Sequence, residues 1–410
     1  TPDIGADEFT GVDVTAYYFR SKQTGLWAGP AQWEYSPSGN AGTYVQALQV
    51  PTGAASLIDI LDDTITISGT TGAKNLRINS GGGLTHNNGI SFSISDGTGA
   101  DASGIDFIVA GTYSINGTQP TFATNAVAEI RTNGIVKADG NTGGQSDDFA
   151  RNTSVTFKTN SIFQWNNSLA FETNGFTYFP NSSSTDIPLF RISASPLAVA
   201  GGSSSTTING KFEVNSSLTF TWANSGSKIF RNGLGGAGTL VHDNTCGTFI
   251  INGTTASIDS TFTLNINNTT GTTTDLQIAS GTTCTVSNSP LINIGTATNP
   301  GALLIIDGSL VHNGSTPINL NTGSGDLTIN GYISGTGSIS CNATNTDIVV
   351  GGTTGDDAGT LKLDASSSLE TMNNFSITRS GATPNISLGS NATVNGVLSI
   401  TTPAALAIKS

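Results

Sequence analysis

The sequence predicts an all-β protein, a parallel β-helix or β-solenoid whose coils are roughly 22 residues long. Three observations predict this fold: a turn phrase recurs, apolar and polar residues alternate around it, and helical patterns are nearly absent. The phrase is a β-branched residue, then Asn or Asp, then Gly. Its copies begin at Ile115, Ile208, Ile251, Ile306, Ile329 and Val394. From Ile208 onward the steps are 43, 55, 23 and 65 residues, and all but the second lie near multiples of about 22.

The strands are predicted from alternation with a period of two residues. It is clear in residues 64–67, 218–222 and 262–266, where apolar side chains alternate with Thr or Asn. Such alternation places apolar residues on one face of a strand and polar residues on the other. Asn-Gly and Asp-Gly then turn the chain, since both residues tolerate positive φ. A β-sandwich would also have short alternating strands, but the shared turn phrase favours stacked coils.

Composition indicates an ordered, acidic protein. Of its 410 residues 36% are hydrophobic and only 10% are charged, compared with about 25% charged in an ordinary soluble domain. The formal net charge is −13, and there is no basic stripe that would bind nucleic acid or anionic lipid. No apolar run approaches the roughly 20 residues that cross a bilayer. We therefore predict neither a nucleic-acid partner nor membrane insertion.

The distribution of aromatic residues divides the chain into three predicted segments. Residues 1–50 contain an aromatic-rich cap, since four of seven tyrosines and two of four tryptophans lie in residues 15–50 and an uncovered terminal coil would expose its core and strand edges. Residues 51–245 form a wider solenoid, because ten of eighteen phenylalanines lie in residues 149–230 and large rings need room. Residues 246–410, rich in Ile, Leu and Val, form a narrower solenoid with an open last coil.

The three histidines, His86, His242 and His312, all stand in a Leu-x-His phrase. Coils rise by about 4.8 Å, so even the nearer pair would be roughly 15 Å apart. One metal ion cannot bridge that distance, since Zn–N bonds are about 2.0–2.1 Å long. We predict no metal site for them and expect turn or surface positions.

Carboxylates are the candidates for catalysis, because glycoside hydrolysis requires two carboxyl groups about 5–9.5 Å apart. The candidates are Asp147 and Asp148, near Arg151, and the pairs at 62–63 and 356–357. Neighbouring strand residues point to opposite faces, however, and Asp is common in turns because it accepts local N–H groups. We therefore predict no enzyme.

Two further candidates concern ligands. Asp96, Asp101 and Asp106 lie in or beside a Gly-rich loop and would offer oxygen ligands to Ca²⁺, although the loop matches neither the EF-hand nor the glycine-rich calcium repeat. A plain acidic loop is the alternative, and no other cofactor is predicted. Trp165 and Trp222 are candidate glycan-binding platforms if their rings are exposed.

Two stretches resemble parts of known surface proteins. Thr1-Pro2-Asp3-Ile4-Gly5-Ala6-Asp7-Glu8-Phe9 resembles the phrase that ends right-handed β-helix modules in large Bacteroidota-type surface proteins. Tyr18-Phe19-Arg20-Ser21-Lys22, with Gly25-Leu26-Trp27 and Gln32-Trp33-Glu34, looks like the start of another repeat module of those proteins. They typically leave the cell by type IX secretion and are cut on the way. The resemblance implies an internal segment of a large exported polypeptide, although no type IX sorting domain is recognisable here.

Together these observations predict a non-enzymatic structural or adhesive protein outside the cell, at its surface. Its partner is expected to be a second copy, joined end to end into a filament, or a neighbouring module of a larger protein. The residues predicted for this assembly lie in the cap and the last coil: Tyr17, Tyr18, Trp27, Trp33, Ile400 and Leu406. The alternative is a polysaccharide-binding module, or a polysaccharide lyase or hydrolase, on the same β-helix scaffold.

Overall fold

The structure is a computed structural model. It describes residues 17–408 except 141–145, 168–170, 173–177, 195–198, 201–204, 224, 244, 260, 268–273, 296–300, 322, 324, 354–356, 366–368, 381–384 and 402–404. The phrase at residues 1–9 lies outside the described residues. The chain divides into two compact units, unit 1 (Thr1–Phe163) and unit 2 (Gln164–Ser410).

Unit 1 consists of short strands, the helix α1 (Ser146–Arg151), and single 3-10 turns at Pro30–Gln32 and Ala41–Thr43. Its strands in chain order are β1 (Tyr18–Ser21), β2 (Gly25–Leu26), β3 (Trp33–Ser36), β4 (Val45–Gln46), β5 (Leu57–Ile60), β6 (Thr64–Ile67), β7 (Thr71–Ala73), β8 (Leu76–Ile78), β9 (Gly83–His86), β10 (Phe92–Ile94), β11 (Phe107–Val109), β12 (Thr112–Ile115), β13 (Thr121–Phe122), β14 (Ala128–Ile130), β15 (Ile135–Ala138) and β16 (Val155–Phe157). A further strand, β17 (Ile162–Trp165), contains the division between the units.

Most strands of unit 1 stack in parallel in three columns. One column contains β5, β8, β11, β14 and β16, the second β6, β9, β12 and β15, and the third β7, β10 and β13. Each coil contributes one strand to a column, so Phe107 lies between Leu76 and Ala128. Along β12 half-buried and buried residues alternate, because every second side chain points into the core.

The first strands of unit 1 differ from the others because they include antiparallel pairs. β1 pairs in parallel with β5 but antiparallel with β3, which in turn pairs antiparallel with β4. Trp27 and Trp33 are buried beside these strands, with their rings edge to face and 5.2 Å between centroids. Trp33 Nε1 donates a hydrogen bond to the Trp27 carbonyl at 2.9 Å. An aromatic cluster therefore lies where the sequence predicted one.

In the described part of unit 2, all regular secondary-structure elements are short strands. In chain order they are β18 (Phe171–Glu172), β19 (Tyr178–Phe179), β20 (Leu189–Ile192), β21 (Val199–Ala200), β22 (Thr206–Ile208), β23 (Lys211–Val214), β24 (Thr219–Trp222), β25 (Lys228–Phe230), β26 (Gly233–Gly236), β27 (Thr239–His242), β28 (Phe249–Ile251), β29 (Thr255–Ile258), β30 (Thr263–Ile266), β31 (Thr274–Ile278), β32 (Thr283–Val286), β33 (Leu291–Ile294), β34 (Ala302–Ile306), β35 (Ser309–His312), β36 (Ile318–Asn319), β37 (Gly325–Ile329), β38 (Tyr332–Ser334), β39 (Ile339–Ser340), β40 (Asp347–Val350), β41 (Asp357–Leu361), β42 (Thr371–Met372), β43 (Asn374–Ile377), β44 (Asn385–Leu388), β45 (Thr393–Val394), β46 (Leu398–Ile400) and β47 (Ala405–Ile408).

These strands also form parallel columns. The first column runs from β19 through β22, β25, β28, β31, β34, β37, β40 and β43 to β46, the second takes every third strand from β20 to β47, and the third contains β24, β27, β30, β33, β36 and β39. Ile250 pairs with Ile229, 21 residues earlier, and with Gln277, 27 residues later. Coils are about 24 residues apart on average. The predicted parallel β-solenoid is confirmed, with coils slightly longer than the turn phrase alone suggested.

The three histidines are buried, so the prediction of turn or surface positions for them is wrong. His86, His242 and His312 end β9, β27 and β35, and each is at most 2% exposed. Each Nε2 atom lies 2.8–3.1 Å from a main-chain carbonyl oxygen. An inward ring at the end of a strand can thus satisfy a polar main-chain group where the chain turns. Burial lowers the pKa of His86 and of His312.

Candidate functional site

The recurring turn phrase forms one corner of several coils in unit 2. It connects β22 to β23, β28 to β29, β34 to β35 and β37 to β38. A Cβ atom on Gly308 would clash with main-chain oxygens of the preceding coil, and one on Gly331 would clash with the oxygen of Gly308. Glycine is needed because the main chains of successive turns approach closely. This corner therefore has little side-chain bulk, and two grooves lie along it.

The larger groove, groove A, has a volume of about 320 Å³. Residues 280–283, 307–309 and 331–332 line it together with Asp357 and Arg379. Its volume is near the lower end of the range of about 300–1,000 Å³ for small-molecule sites. Tyr332 is 41% exposed, so part of an aromatic side chain in this lining is open to solvent.

Asp307 is fixed in the lining of groove A by the neighbouring coils. Its Oδ1 atom accepts a hydrogen bond from Asn330 Nδ2 at 2.7 Å, and its Oδ2 atom accepts one from Gln277 Nε2 at 2.5 Å. The three residues belong to successive coils of the stack. Because both bonds hold the side chain in one orientation, Asp307 presents a preorganised carboxylate.

The charges at the two sides of groove A differ in exposure. Asp357 is exposed, and its Oδ1 atom accepts the Gly359 N–H at 2.8 Å. Arg379 is only 2% exposed. Its Nη1 atom donates to the carbonyl oxygens of Asn330, Gly331 and Gly351, each at 3.1 Å. The Arg379 guanidinium group thus stabilises these turns, which form the floor of groove A, while the Asp357 carboxylate faces solvent.

Thr282 contributes a polar group that the described part of the chain does not satisfy. The residue lines groove A and is 2% exposed. Its Oγ1 atom has no hydrogen-bond partner among the described residues. A buried polar group left in that state costs about 1–3 kcal/mol, and most such groups in native proteins have partners. This Oγ1 atom is itself buried, so it lies behind the solvent-accessible lining of the groove.

A second groove, groove B, lies at the same corner in earlier coils and has a volume of about 260 Å³. Residues 184–185, 253–255, Ile187, Asn209 and Arg231 line it. Arg231 Nη1 donates to the Ser184 carbonyl and to Asn209 Oδ1, both at 2.7 Å. Like groove A, it combines turn glycine, small hydroxyl side chains, one arginine and one exposed apolar residue, Ile187, at 40%.

Strand register places the two grooves on adjacent coils. Thr255, which lines groove B, pairs with Thr283 of groove A. Thr283 pairs with Ser309, and Ser309 pairs with Tyr332. Three steps of about 4.8 Å give a column roughly 14 Å long. Grooves A and B therefore form one polar track along the corner.

The predicted catalytic residues lie in a different place, around α1 in unit 1. The Asp147 side chain lies outside the described residues. Asp148 accepts hydrogen bonds from Arg151 Nη1 and from Gln119 Nε2, both at 3.2 Å. The structure therefore holds Asp148 in a local ion pair and does not describe a second carboxylate opposite it.

Two of the three acids considered for Ca²⁺, Asp101 and Asp106, bind groups of the protein. Asp106 accepts the N–H groups of Gly97 and Val127 at 2.8 and 3.0 Å. Asp101 accepts hydrogen bonds from Ser103 and Arg131, which outweigh the effect of burial and lower the pKa of Asp101 to about 2. Among the described residues, no cluster of three or more His, Cys, Asp or Glu side chains is arranged to hold a metal ion.

The two tryptophans considered as glycan platforms are buried. Trp165 is 1% exposed and Trp222 is 0% exposed. Neither ring can stack on a sugar in this structure, so the aromatic basis for the alternative function is absent at these positions. Both rings instead help to fill the core of the central coils.

The residues predicted for assembly divide into two groups. Trp27 and Trp33 are buried in the aromatic cluster and can act only by holding it together. The others lie at least partly at the surface: Tyr17, Tyr18, Ile400 and Leu406.

One buried cation was missed by the sequence analysis. Lys228 is 0% exposed, and its Nζ atom lies 5.7 Å from the centroid of a Trp222 ring. Burial lowers the pKa of Lys228 to about 8, while the nearby Cys246 acts in the opposite direction. Its place in the first position of β25, where alternation assigns an inward side chain, was the signal that could have revealed it.

No protein-family model matches this chain, and no curated protein or solved structure has significant similarity to it. None of the helices in the described ranges has the length and apolar character needed to cross a membrane. The residues and their geometry are thus the basis for the proposals that follow.

Proposed function

We propose that this protein is a non-enzymatic structural and adhesive component of the cell surface. The observation that carries the proposal is that charged side chains pair between coils. Such pairs include Arg77 with Asp59 at 2.6 Å, Arg191 with Glu213 at 3.0 Å and Lys211 with Asp259 at 2.6 Å. The first two pairs join neighbouring coils and the third spans two coils, so these charges hold coils in register and are not gathered into a reacting centre.

An asparagine ladder supports the same function. Asn293 donates to Asn265 Oδ1 at 2.8 Å and accepts from Asn319 Nδ2 at 2.9 Å. The ladder runs across β30, β33 and β36, which are also joined by parallel backbone pairing. Many small bonds of about 0.5–1.5 kcal/mol each then resist separation of the coils together, which suits a protein that bears or transmits load.

We further propose that the protein is extracellular and forms a repeat region of a larger Bacteroidota-type surface protein exported by type IX secretion. The support is the resemblance of the Arg-Ser, Gly-x-Trp and Trp-Glu phrases within residues 18–34 to a module start in such proteins. The low charged fraction of 10% is compatible with long polar faces that lie close to carbohydrate or to other coils.

Assembly is proposed to occur end to end, between the antiparallel strands of unit 1 in one copy and the last coil, with Ile400 and Leu406, in another. Among the described strands β4 pairs only with β3, and an unpaired strand edge can accept another strand. Two exposed apolar residues lie in or beside this strand: Val45 at 55% and Leu48 at 81%. A contact between two different surfaces of the same protein propagates into a filament unless its rotation closes a ring.

Negative-stain electron microscopy of the purified protein near its working concentration tests this proposal. We expect thin fibres from the native protein and single particles from a Val45→Asp/Leu48→Asp variant, because charge at the edge opposes strand addition. Leu291→Asp is the matched control, since Leu291 is 37% exposed in β33 and should leave the fibres intact. Single particles from the native protein at every concentration, or fibres from the double variant, would contradict end-to-end assembly.

A further inference from the structure

We propose that the track formed by grooves A and B binds a neutral, hydroxyl-rich polysaccharide. This inference rests on the adhesive part of the proposed function, for which it supplies a site and a class of ligand. Groove A is its centre, since it is the larger groove and contains the partly exposed Tyr332 ring together with the exposed Thr283 side chain.

The side chains of groove A match the chemistry of a sugar ring. A partly exposed tyrosine ring offers an apolar face for sugar C–H groups together with a polar hydroxyl. The Asp307 and Asp357 carboxylates can accept hydrogen bonds from sugar hydroxyls, and such charge-assisted bonds are about twice as strong as neutral ones. The exposed Thr283 hydroxyl of the lining can both donate a hydrogen bond to a sugar hydroxyl and accept one.

The charge of the site selects a neutral glycan over a polyanion. Two carboxylates line groove A, and the Arg379 guanidinium is already bonded to three carbonyl groups of the floor. The whole chain carries a formal net charge of −13. A polyuronate or sulfated chain would meet repulsion both on approach and in the groove.

The backbone at this corner favours a glycan over a peptide. An extended peptide would gain most of its affinity by adding a strand to a sheet edge. β32 and β38, whose first residues line groove A, each pair with β35 between them and with β29 or β41 on their other side. Pairing on both sides engages most of their main-chain groups, so side chains supply most of the binding.

The track fits a chain better than a single sugar. Exposed Thr255 and Thr283, half-buried Ser309 and partly exposed Tyr332 form one column over successive coils. This column of roughly 14 Å lies beside turns with little side-chain bulk, so an extended chain can lie along the stack and contact several coils at once.

Affinity gel electrophoresis of the full chain tests the inference. The probes are three neutral polysaccharides, dextran, xyloglucan and galactomannan, and two anionic ones, alginate and polygalacturonate. We expect at least one neutral probe to slow the native protein and the anionic probes to leave its mobility unchanged. Tyr332→Ala should weaken binding to that probe about tenfold or more by removing the stacking ring. Thr283→Val, which replaces an exposed hydroxyl of the lining by a methyl group of similar shape, should weaken it about 2- to 10-fold.

Leu291→Ala is the control, because it truncates an exposed apolar side chain in the third column of unit 2. Circular dichroism and thermal melting of each variant separate loss of binding from loss of folding. The inference is overturned if no neutral probe slows the native protein, if an anionic probe slows it more, or if correctly folded Tyr332→Ala binds as the native protein does. Tyr332→Ala should still form fibres, so failure of binding and failure of assembly are seen independently.

Discussion

The coils around Phe212 and the coils around Leu304 share one backbone plan but have different cores. The Phe212 ring lies in a cluster of aromatic rings whose centroids are 5.2–5.8 Å from its own, namely those of Phe190, Phe220, Trp222 and Phe230. Aromatic pairs at such distances contribute about 0.5–1.5 kcal/mol beyond the area they bury. In these coils of unit 2, specific ring contacts add to the general hydrophobic effect.

Around Leu304 the core is aliphatic. Leu304, Leu276, Ile278 and Leu310 are among nine Ile, Leu and Val side chains that surround an apolar void of about 10 Å³. A void must reach about 10–15 Å³ to hold one water molecule, and an apolar one stays dry. These coils therefore depend on burial and dispersion without ring–ring contacts.

This difference shows that the solenoid architecture does not depend on whether the core residues are aromatic or aliphatic. Both regions keep the three parallel columns, and both use the same glycine turn at the corner. Hydrophobic cores tolerate different residues if volume and pattern are kept. What stays constant is the main-chain ladder and the close stacking of turns, and this is also where grooves A and B lie.

The largest change in the free energy of unfolding is expected from truncating one core side chain in each region. Phe212→Ala should lower the free energy of unfolding by about 3–5 kcal/mol, and Leu304→Ala by about 2–5 kcal/mol, through lost burial and the cavity left behind. Phe212→Leu should cost less than Phe212→Ala because it keeps most of the volume. Urea unfolding followed by circular dichroism measures all three. A larger loss for Leu304→Ala than for Phe212→Ala would show that ring contacts add nothing.

A smaller effect is expected at the buried cation of the aromatic region. Lys228→Met should raise the free energy of unfolding at pH 7 by about 1–2 kcal/mol, since a thioether avoids the cost of burying charge. Burial lowers the pKa of Lys228 to about 8, below the value of about 10.4 in an unfolded chain. The unfolded state therefore binds more protons between these values, and native stability should rise with pH across that window. Lys228→Met should lose this increase in unfolding free energy with pH. Equal slopes of unfolding free energy against pH for the variant and the native protein would contradict a lowered pKa of Lys228.

Much of the fold could be read from local pattern, and the histidines show where this fails. Alternation and the Asn-Gly or Asp-Gly phrase depend on neighbouring residues, so they predicted parallel coils without knowledge of tertiary contacts. The Leu-Val-His phrase also alternates, which places His242 and His312 inward with the leucine, although turn or surface positions were expected for them. Their carbonyl partners lie beyond the strand, and for His312 in the next coil, where no local pattern could reveal them.

The candidate site was harder to predict because it combines residues far apart in sequence. The turn phrase was recognised at Asp307, but its role in a groove depends on Thr282, Tyr332 and Arg379 from other coils. Trp165 and Trp222 were candidates for binding because large rings often bind sugars, but both are buried in the core. The exposed aromatic residue of the track is a single tyrosine in a segment that is otherwise poor in aromatics.

The smallest predicted effect concerns the buried histidines, one in an aromatic setting and one in the aliphatic coils. His86 Nδ1 lies 3.2 Å from the Tyr113 hydroxyl and the ring packs against Phe92. His312 Nδ1 has no hydrogen-bond partner among the described residues. Because burial lowers the pKa of both groups below the unfolded value of about 6.5, the unfolded state takes up more protons as the pH falls through that region. The free energy of unfolding should therefore decrease as the pH drops below about 6.5, and stay constant with respect to these groups above it.

The two sites should differ in how much they contribute to this decrease. A second proton on His86 can be donated to the Tyr113 oxygen, whereas a proton on His312 Nδ1 has no acceptor within hydrogen-bond distance among the described residues, and such a buried N–H costs about 1–3 kcal/mol. We expect His312→Gln to flatten the dependence of unfolding free energy on pH between 7 and 5 more than His86→Gln does. Urea titrations of the two variants and the native protein at pH 5, 6 and 7 measure the slopes. A steeper change from His86→Gln would mean that the hydroxyl beside His86 does not accept the proton, and that ring contacts with Phe92 dominate the cost of charging it.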